Sequence, residues 1–181
     1  TGDPRNFKSF DELWDAFVKQ HRFIMHRTLW LANLARDVQA SYLRLPFLST
    51  VSLQCCMDNG HDTMVPTPVS EFGITDRAII DVADSLYAIK KLVFDDKVLT
   101  MQELMDALDS NFEGPRGEEI RKMCLNVPKF GNDVDEVDEL ARKVSIMSAE
   151  SITSWDNGPY PKFKSIREGL SWHYAAGLGV G

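Results

Sequence analysis

The sequence predicts a helix-rich α/β segment with few strands of its own, on three observations. Two apolar-periodic stretches open on capping boxes, Ser9-Phe10-Asp11-Glu12 and Thr100-Met101-Gln102-Glu103. In each, the hydroxyl can accept from the third helical N–H while the glutamate reaches back to the cap. The stretch between Ser9 and Tyr42 contains neither Gly nor Pro. Strand character is concentrated in one late stretch, Phe163 to Tyr174.

Taken in order, the first element is one long helix from about Ser9 to Tyr42. Its apolar face is Leu13, Phe17, Ile24, Leu31, Leu34, Ala35, Val38 and Tyr42, and polar residues of mixed sign leave the other side partly exposed. Phe47 to Leu53 reads equally as a buried strand or a short helix. Asp58-Asn59-Gly60-His61-Asp62 is a turn, and Pro66-Thr67-Pro68 enforces extended backbone. A second helix is expected to start at a Thr75 cap and run through Ile79, Val82, Leu86, Ile89 and Leu92. A third follows Thr100, a fourth spans about Gly117 to Leu125 and stops before Pro128, and a fifth begins near Asp133. The turn Asp156-Asn157-Gly158-Pro159 then leads into Phe163–Tyr174. No internal repeat or low-complexity segment is present.

Composition narrows the function classes. The chain has 181 residues, enough to bury roughly two-thirds of the surface of the unfolded chain. With 20 Lys+Arg against 27 Asp+Glu the formal net charge is −7, so no net basic field exists to hold nucleic acid or an anionic membrane. No apolar run approaches the ~18 residues that span a bilayer, and TGDPRNFKSF is no signal peptide. Three Cys, two of them adjacent, make no disulfide framework and fit a reducing cytoplasm. The start on Thr1 and the glycine-rich end Gly177-Leu178-Gly179-Val180-Gly181 suggest a segment cut from a longer chain.

Individual residues give no complete catalytic constellation. Cys55-Cys56 could relay a disulfide or act as a nucleophile with a depressed pKa, but both follow an apolar run with no cation beside them, which favours core packing. Cys124, between Met123 and Leu125, is expected in the core. His21 and His26 are five apart, about 140° around a helix, and share no metal at that spacing; no metal site is expected. The terminal glycines lack the Lys or Ser/Thr and the following helix of a phosphate loop. The acidic run Asp133 to Glu139 reads as carboxylates solvated in the first turns of a helix and complementing its dipole.

Ordered motifs nevertheless run along nearly the whole chain. Asn111-Phe112-Glu113-Gly114, then Val127-Pro128-Lys129-Phe130-Gly131-Asn132-Asp133 and Val137-Asp138, resemble an N-F-x-G…P-K-[FYW]-G-N-D-x-x-x-[AV]-D pattern of the pyruvate formate-lyase-like glycyl radical enzymes. Asp84-Ser85-Leu86 with Ala88 to Phe94 is similar to that family's D-S-L-x-A-I-K-K-x-V-F helix, and Thr1-Gly2-Asp3-Pro4 to its T-G-D-P segment. Pro46-Phe47-Leu48-Ser49, Cys56 and Gly60-His61-Asp62 resemble its P-F-x-S…C-x-x-x-G-x-D stretch. His173 and Gly177 fit the start of a segment that usually continues into G-A-x-P-[DN]-G-R.

The resemblance implies a helix-rich internal segment of a ten-stranded α/β barrel, residues 1–181 being a partial domain without the catalytic cysteine loop and the glycyl radical loop. It implies a lyase-type radical reaction on a small organic substrate, of anaerobic metabolism, with the glycyl radical installed elsewhere in the chain by a separate radical-SAM activase. A homodimer is also implied. Cys55-Cys56 are not the radical-carrying pair, because the cysteine loop precedes T-G-D-P; no residue here is catalytic, and the segment alone is expected to be inert. The departure at Thr63–Gly73 from a G-G-x-x-Y-N-type stretch puts diol dehydration in doubt and favours an arylacetate decarboxylase or a fumarate-adding enzyme. Glu71, Leu170, Trp172 and His173 are the substrate-pocket candidates, although Trp172 and His173 point to opposite faces of a strand. The alternative is a non-catalytic helical binding domain of merely architectural similarity.

Overall fold

A computed structural model describes residues 1–64, 72–157 and 163–167. The chain divides into two compact units, residues 1–20 with 78–148, and residues 21–77 with 149–181.

The first unit begins with a 3-10 turn, Pro4–Asn6, capped by Asp3, and the opening turns of α1 (Phe10–Tyr42). It continues with α4 (Ile79–Ile89), whose last turn widens into a π-helical stretch, Lys90–Asp95. α5 (Met101–Asp109), α6 (Gly114–Asn126) and most of α7 (Asp135–Thr153) complete it. The expected capping box is present on α5: Glu103 N donates to Thr100 Oγ1 at 3.2 Å, and Thr100 N to Glu103 Oε2 at 2.9 Å. On α1, Glu12 N donates to Ser9 Oγ, but the glutamate reaches one residue further back and accepts from Lys8 N. One core gathers the apolar stripes, with Ala83, Val137, Ile120 and Leu99 at its centre. Trp14, 8% exposed, closes it; the Lys143 ammonium sits 4.1 Å from its ring, so a charged cap covers apolar surface.

The second unit holds the rest of α1, then α2 (Pro46–Ser52), α3 (Gln54–Asn59), β1 (Phe72–Asp76), the end of α7 and β2 (Phe163–Arg167). β1 and β2 pair in parallel, Phe72 opposite Phe163 through Asp76 opposite Arg167. Leu29 and Ile152 are fully buried here, with Met25, Ala32, Ile74 and Trp155 around them. Asn33 Nδ2 donates to Asn157 Oδ1 at 2.6 Å, tying α1 to the turn after α7.

Several expectations need correction. Of the two readings left open for Phe47–Leu53 the helix is the one observed, as α2 over Pro46–Ser52 with Leu53 extended: Pro46 occupies a first-turn position where its missing N–H costs nothing. Thr75 does not cap a helix; it pairs with Ile166 in β1, and Ala78 in the left-handed region (φ 57°) separates strand from helix, so α4 starts at Ile79. α7 likewise starts at Asp135, because Asp133 adopts φ 57°. α6 begins three residues before the expected Gly117. On α1 the expected apolar face is exposed in its second half: Ile24, Leu31, Leu34, Val38 and Tyr42 face outward while Met25, Leu29 and Ala32 face the core. Phe163–Arg167 is strand as expected, and positions 168–174 lie outside the described residues.

Candidate functional site

The P-F-x-S…C-x-x-x-G-x-D stretch folds around a cleft of about 500 Å³ in the second unit. Pro46, Ser49, Cys56, Gly60 and Asp62 line it, together with Arg44, Thr50, Met57 and His61. Asp62 organises the walls: its Oδ2 accepts from Leu45 N at 2.8 Å and its Oδ1 from Met64 N at 2.9 Å. It thereby satisfies a donor at the start of α2, where no cap of α2's own does so. Ser49, 4% exposed, accepts from Thr63 N at 2.9 Å and donates to Leu45 O at 2.8 Å. Gly60 ends α3 at φ 61°, with its own N–H and that of His61 returning to Cys56 O. A Cβ there would meet nothing within 4 Å, so its backbone angle is what selects glycine.

The polar side chains that shape the cleft, Asp62 and Ser49, are bonded to backbone groups. Cys56 is buried, and burial, then neighbouring Cys55 and the Asp62 carboxylate, push its thiol above the usual range, the opposite of an activated thiolate. Ser49 spends its hydroxyl on backbone groups, so no nucleophile–base pair forms. The polar groups the cleft turns outward are the exposed Arg44, whose Nε donates to Ala40 O at 3.2 Å, and the exposed His61. Sequence reasoning left out Arg44, Thr50 and Met57, which come to the cleft from the α1–α2 link, from α2 and from α3 respectively, a convergence no local pattern carries.

The other motifs are also spent on the fold. Asp84 Oδ1 accepts from Phe130 N at 2.9 Å, joining the D-S-L helix to the P-K-F-G-N-D loop. Lys129 Nζ donates to Cys124 O and Val127 O at 2.8 and 2.7 Å, satisfying carbonyls at the end of α6. Burial pushes the Cys124 thiol up, with Lys129 opposing. Tyr87 donates to Glu136 Oε2 at 2.8 Å; burial, then that bond, raise its hydroxyl to about 12. The acidic run is therefore only partly solvated: Glu136 is bonded to Tyr87, and Asp138 Oδ1 accepts a long bond from Gly131 N. Asn111 and Phe112 are consecutive left-handed residues (φ 52° and 58°), and α6 packs so close behind them that a Cβ on Gly117 would lie 2.5 Å from the Phe112 carbonyl carbon.

Glu71, Leu170, Trp172 and His173 all lie outside the described residues. Among the described residues no group of His, Cys, Asp and Glu has the geometry to hold a metal ion. In the same residues no helix is long and apolar enough to cross a membrane.

The motif residues thus bind one another within a helical scaffold. The chain belongs to the pyruvate formate lyase-like family, whose profile matches residues 1–165. It is 39% identical over 152 residues to an isethionate sulfite-lyase of Bilophila wadsworthia, covering 82% of this chain and 18% of the relative. A structure from work on 1,2-propanediol dehydration in Roseburia inulinivorans matches with a TM-score of 0.81 at 36% identity, over 91% of this chain and 21% of that one. A glycyl radical enzyme from Archaeoglobus fulgidus matches with a TM-score of 0.78 at 27% identity, over 91% of this chain and 20% of that one. The chain thus spans about a fifth of the length of these relatives. Identity of this extent displaces the reading of a binding domain with architectural similarity alone.

Proposed function

We propose that the full-length protein is a glycyl radical enzyme that eliminates a leaving group from a small hydroxylated substrate by breaking a C–O or C–S bond. The observation that carries this is the 39% identity to a sulfite-lyase. The 36% identity to a structure described for diol dehydration supports it. These relatives favour elimination over the arylacetate decarboxylation or fumarate addition that the Thr63–Gly73 departure suggested, and they weaken that departure as an argument against dehydration. In this reading the radical-bearing cysteine and glycine belong to polypeptide outside residues 1–181, within a ten-stranded barrel, and a radical-SAM activase generates the glycyl radical. The protein acts as a cytoplasmic homodimer. The contribution of residues 1–181 is rigidity, since a radical abstraction requires the reacting hydrogen held at contact distance with water excluded. Glu71, Leu170, and one of Trp172 and His173 are the residues proposed to reach the substrate.

The test is the coding sequence on both sides of this segment, followed by anaerobic assay of the activated full-length enzyme. Expected are a cysteine loop upstream, a glycyl loop downstream, and release of sulfite from isethionate or of aldehyde from 1,2-propanediol. Absence of either loop, or turnover restricted to an arylacetate or to fumarate addition, overturns the reading.

A further inference from the structure

Within the second unit, the later part of α1 is apolar on two opposite sides. Taking 100° per residue from Phe23, Trp30, Leu34, Val38, Leu31 and Ile24 fall within an arc of about 120° that runs about 22 Å along the axis. All are exposed, from 45% at Leu34 to 62% at Ile24. The one cation in this arc, Arg27, lays its guanidinium 5.4 Å from the Phe23 ring rather than breaking the stripe. Ala32, Met25 and Leu29 occupy the opposite side, packed with Ile152 and Trp155. A helix with apolar residues on opposite faces is the pattern of one covered from both sides, and a stripe of this extent is uncommon on a free surface.

A second demand arises in the same unit. Among the described residues β1 pairs with β2 alone, and two parallel strands leave an open edge on each side. Parallel sheets are found covered and with more strands than two. A lipid surface could cover the helix stripe but could not pair strand edges, and a second copy would have to meet both demands with one surface.

We infer that the exposed stripe of α1 is an intramolecular docking face, covered by the polypeptide that lies outside residues 1–181 in the full-length protein. The inference rests on the family reading: the same fold recurs over 91% of this chain inside chains more than four times as long. Those longer chains hold enough polypeptide to supply both helical cover and further strands.

The double substitution Leu34→Glu/Val38→Glu tests it in two contexts, the full-length protein and the chain of 181 residues. In the full-length protein, loss of soluble expression or a lower melting temperature is expected. A second pair, Thr28→Glu/Gln39→Glu, adds the same two charges at exposed polar positions of this helix outside the stripe and is expected to leave melting unchanged. In the 181-residue chain, the Leu34/Val38 variant should keep its helical circular dichroism while binding of a hydrophobic dye falls by roughly half. A full-length Leu34/Val38 variant that melts like its parent overturns the inference. So does a 181-residue chain that is a defined dimer and becomes monomeric on substitution, because the occupant is then a second copy. Flanks without radical loops combined with a destabilised full-length variant would sink the proposed reaction and leave this docking face standing.

Discussion

Tyr87 is 3% exposed and its hydroxyl donates to a carboxylate oxygen of Glu136, so the folded state prefers the protonated phenol. Its pKa is raised from 10.0 to about 12, which makes the folded state bind the proton more tightly than the unfolded chain. The stabilisation is therefore complete below pH 10 and lost as pH rises from 10 to about 12. Tyr87→Phe should cost about 1 kcal/mol at neutral pH and flatten this alkaline limb in urea titrations between those values; an unchanged limb would mean another group controls it. Glu103 works in the opposite direction. Backbone and side-chain bonds from Thr100 and the Arg116 guanidinium hold it down at about 2, so its contribution is present above pH 4.5 and lost on descent through that window. Glu103→Gln should flatten the acid limb of melting between those values, leaving the part that Asp3 and Glu139, also held low by Arg5 and Arg142, contribute. The Gln amide can still reach back to the cap, so a variant that retained the parent's acid limb would assign it to another carboxylate.

Elements explain why some of the fold was legible in the sequence and some was not. α5 could be read because Thr100 and Glu103 carry their capping bonds within four residues. α1 could be read in extent, but not in which side faces the core. Its second half presents apolar residues on both sides, and periodicity alone does not choose between them. β1 was invisible because its pairing partner lies some ninety residues away and the departure from helix is a single left-handed Ala78. The cleft residues were legible only as a resemblance, because Asp62 acts on Leu45, 17 positions earlier. The N-F-x-G turn offers a test at this scale. Gly114 has φ 78° and nothing within 4 Å of an added methyl, so Gly114→Ala should cost about 1 kcal/mol from backbone strain alone. Gly117→Ala sets a methyl 2.5 Å from backbone that cannot rotate away, and about 3 kcal/mol is expected. Equal melting temperatures for the two variants would refute the close approach of α6.

At the scale of the molecule, the two units differ in how much they bury. Among the described residues the first core holds sixteen buried side chains and the second holds Leu29 and Ile152. Apolar burial is the main term offsetting the entropy of ordering a chain, and among the described residues, positions 43–64 bury few apolar side chains beyond Cys56, with Phe47 81% exposed and Val51 64%. Local opening free energy should follow this difference. In hydrogen exchange on the 181-residue chain, amides of α4, α5 and the part of α7 before Ser148 should exchange slowest, while those of α2 and α3 exchange through local opening at rates independent of denaturant. Asp62→Ala removes the acceptor shared by Leu45 N and Met64 N and should accelerate exchange in α2 and α3 without changing α4. Uniform protection across both units would show that the second unit is stable with its apolar stripe open, and would remove the energetic reason for that stripe to be covered.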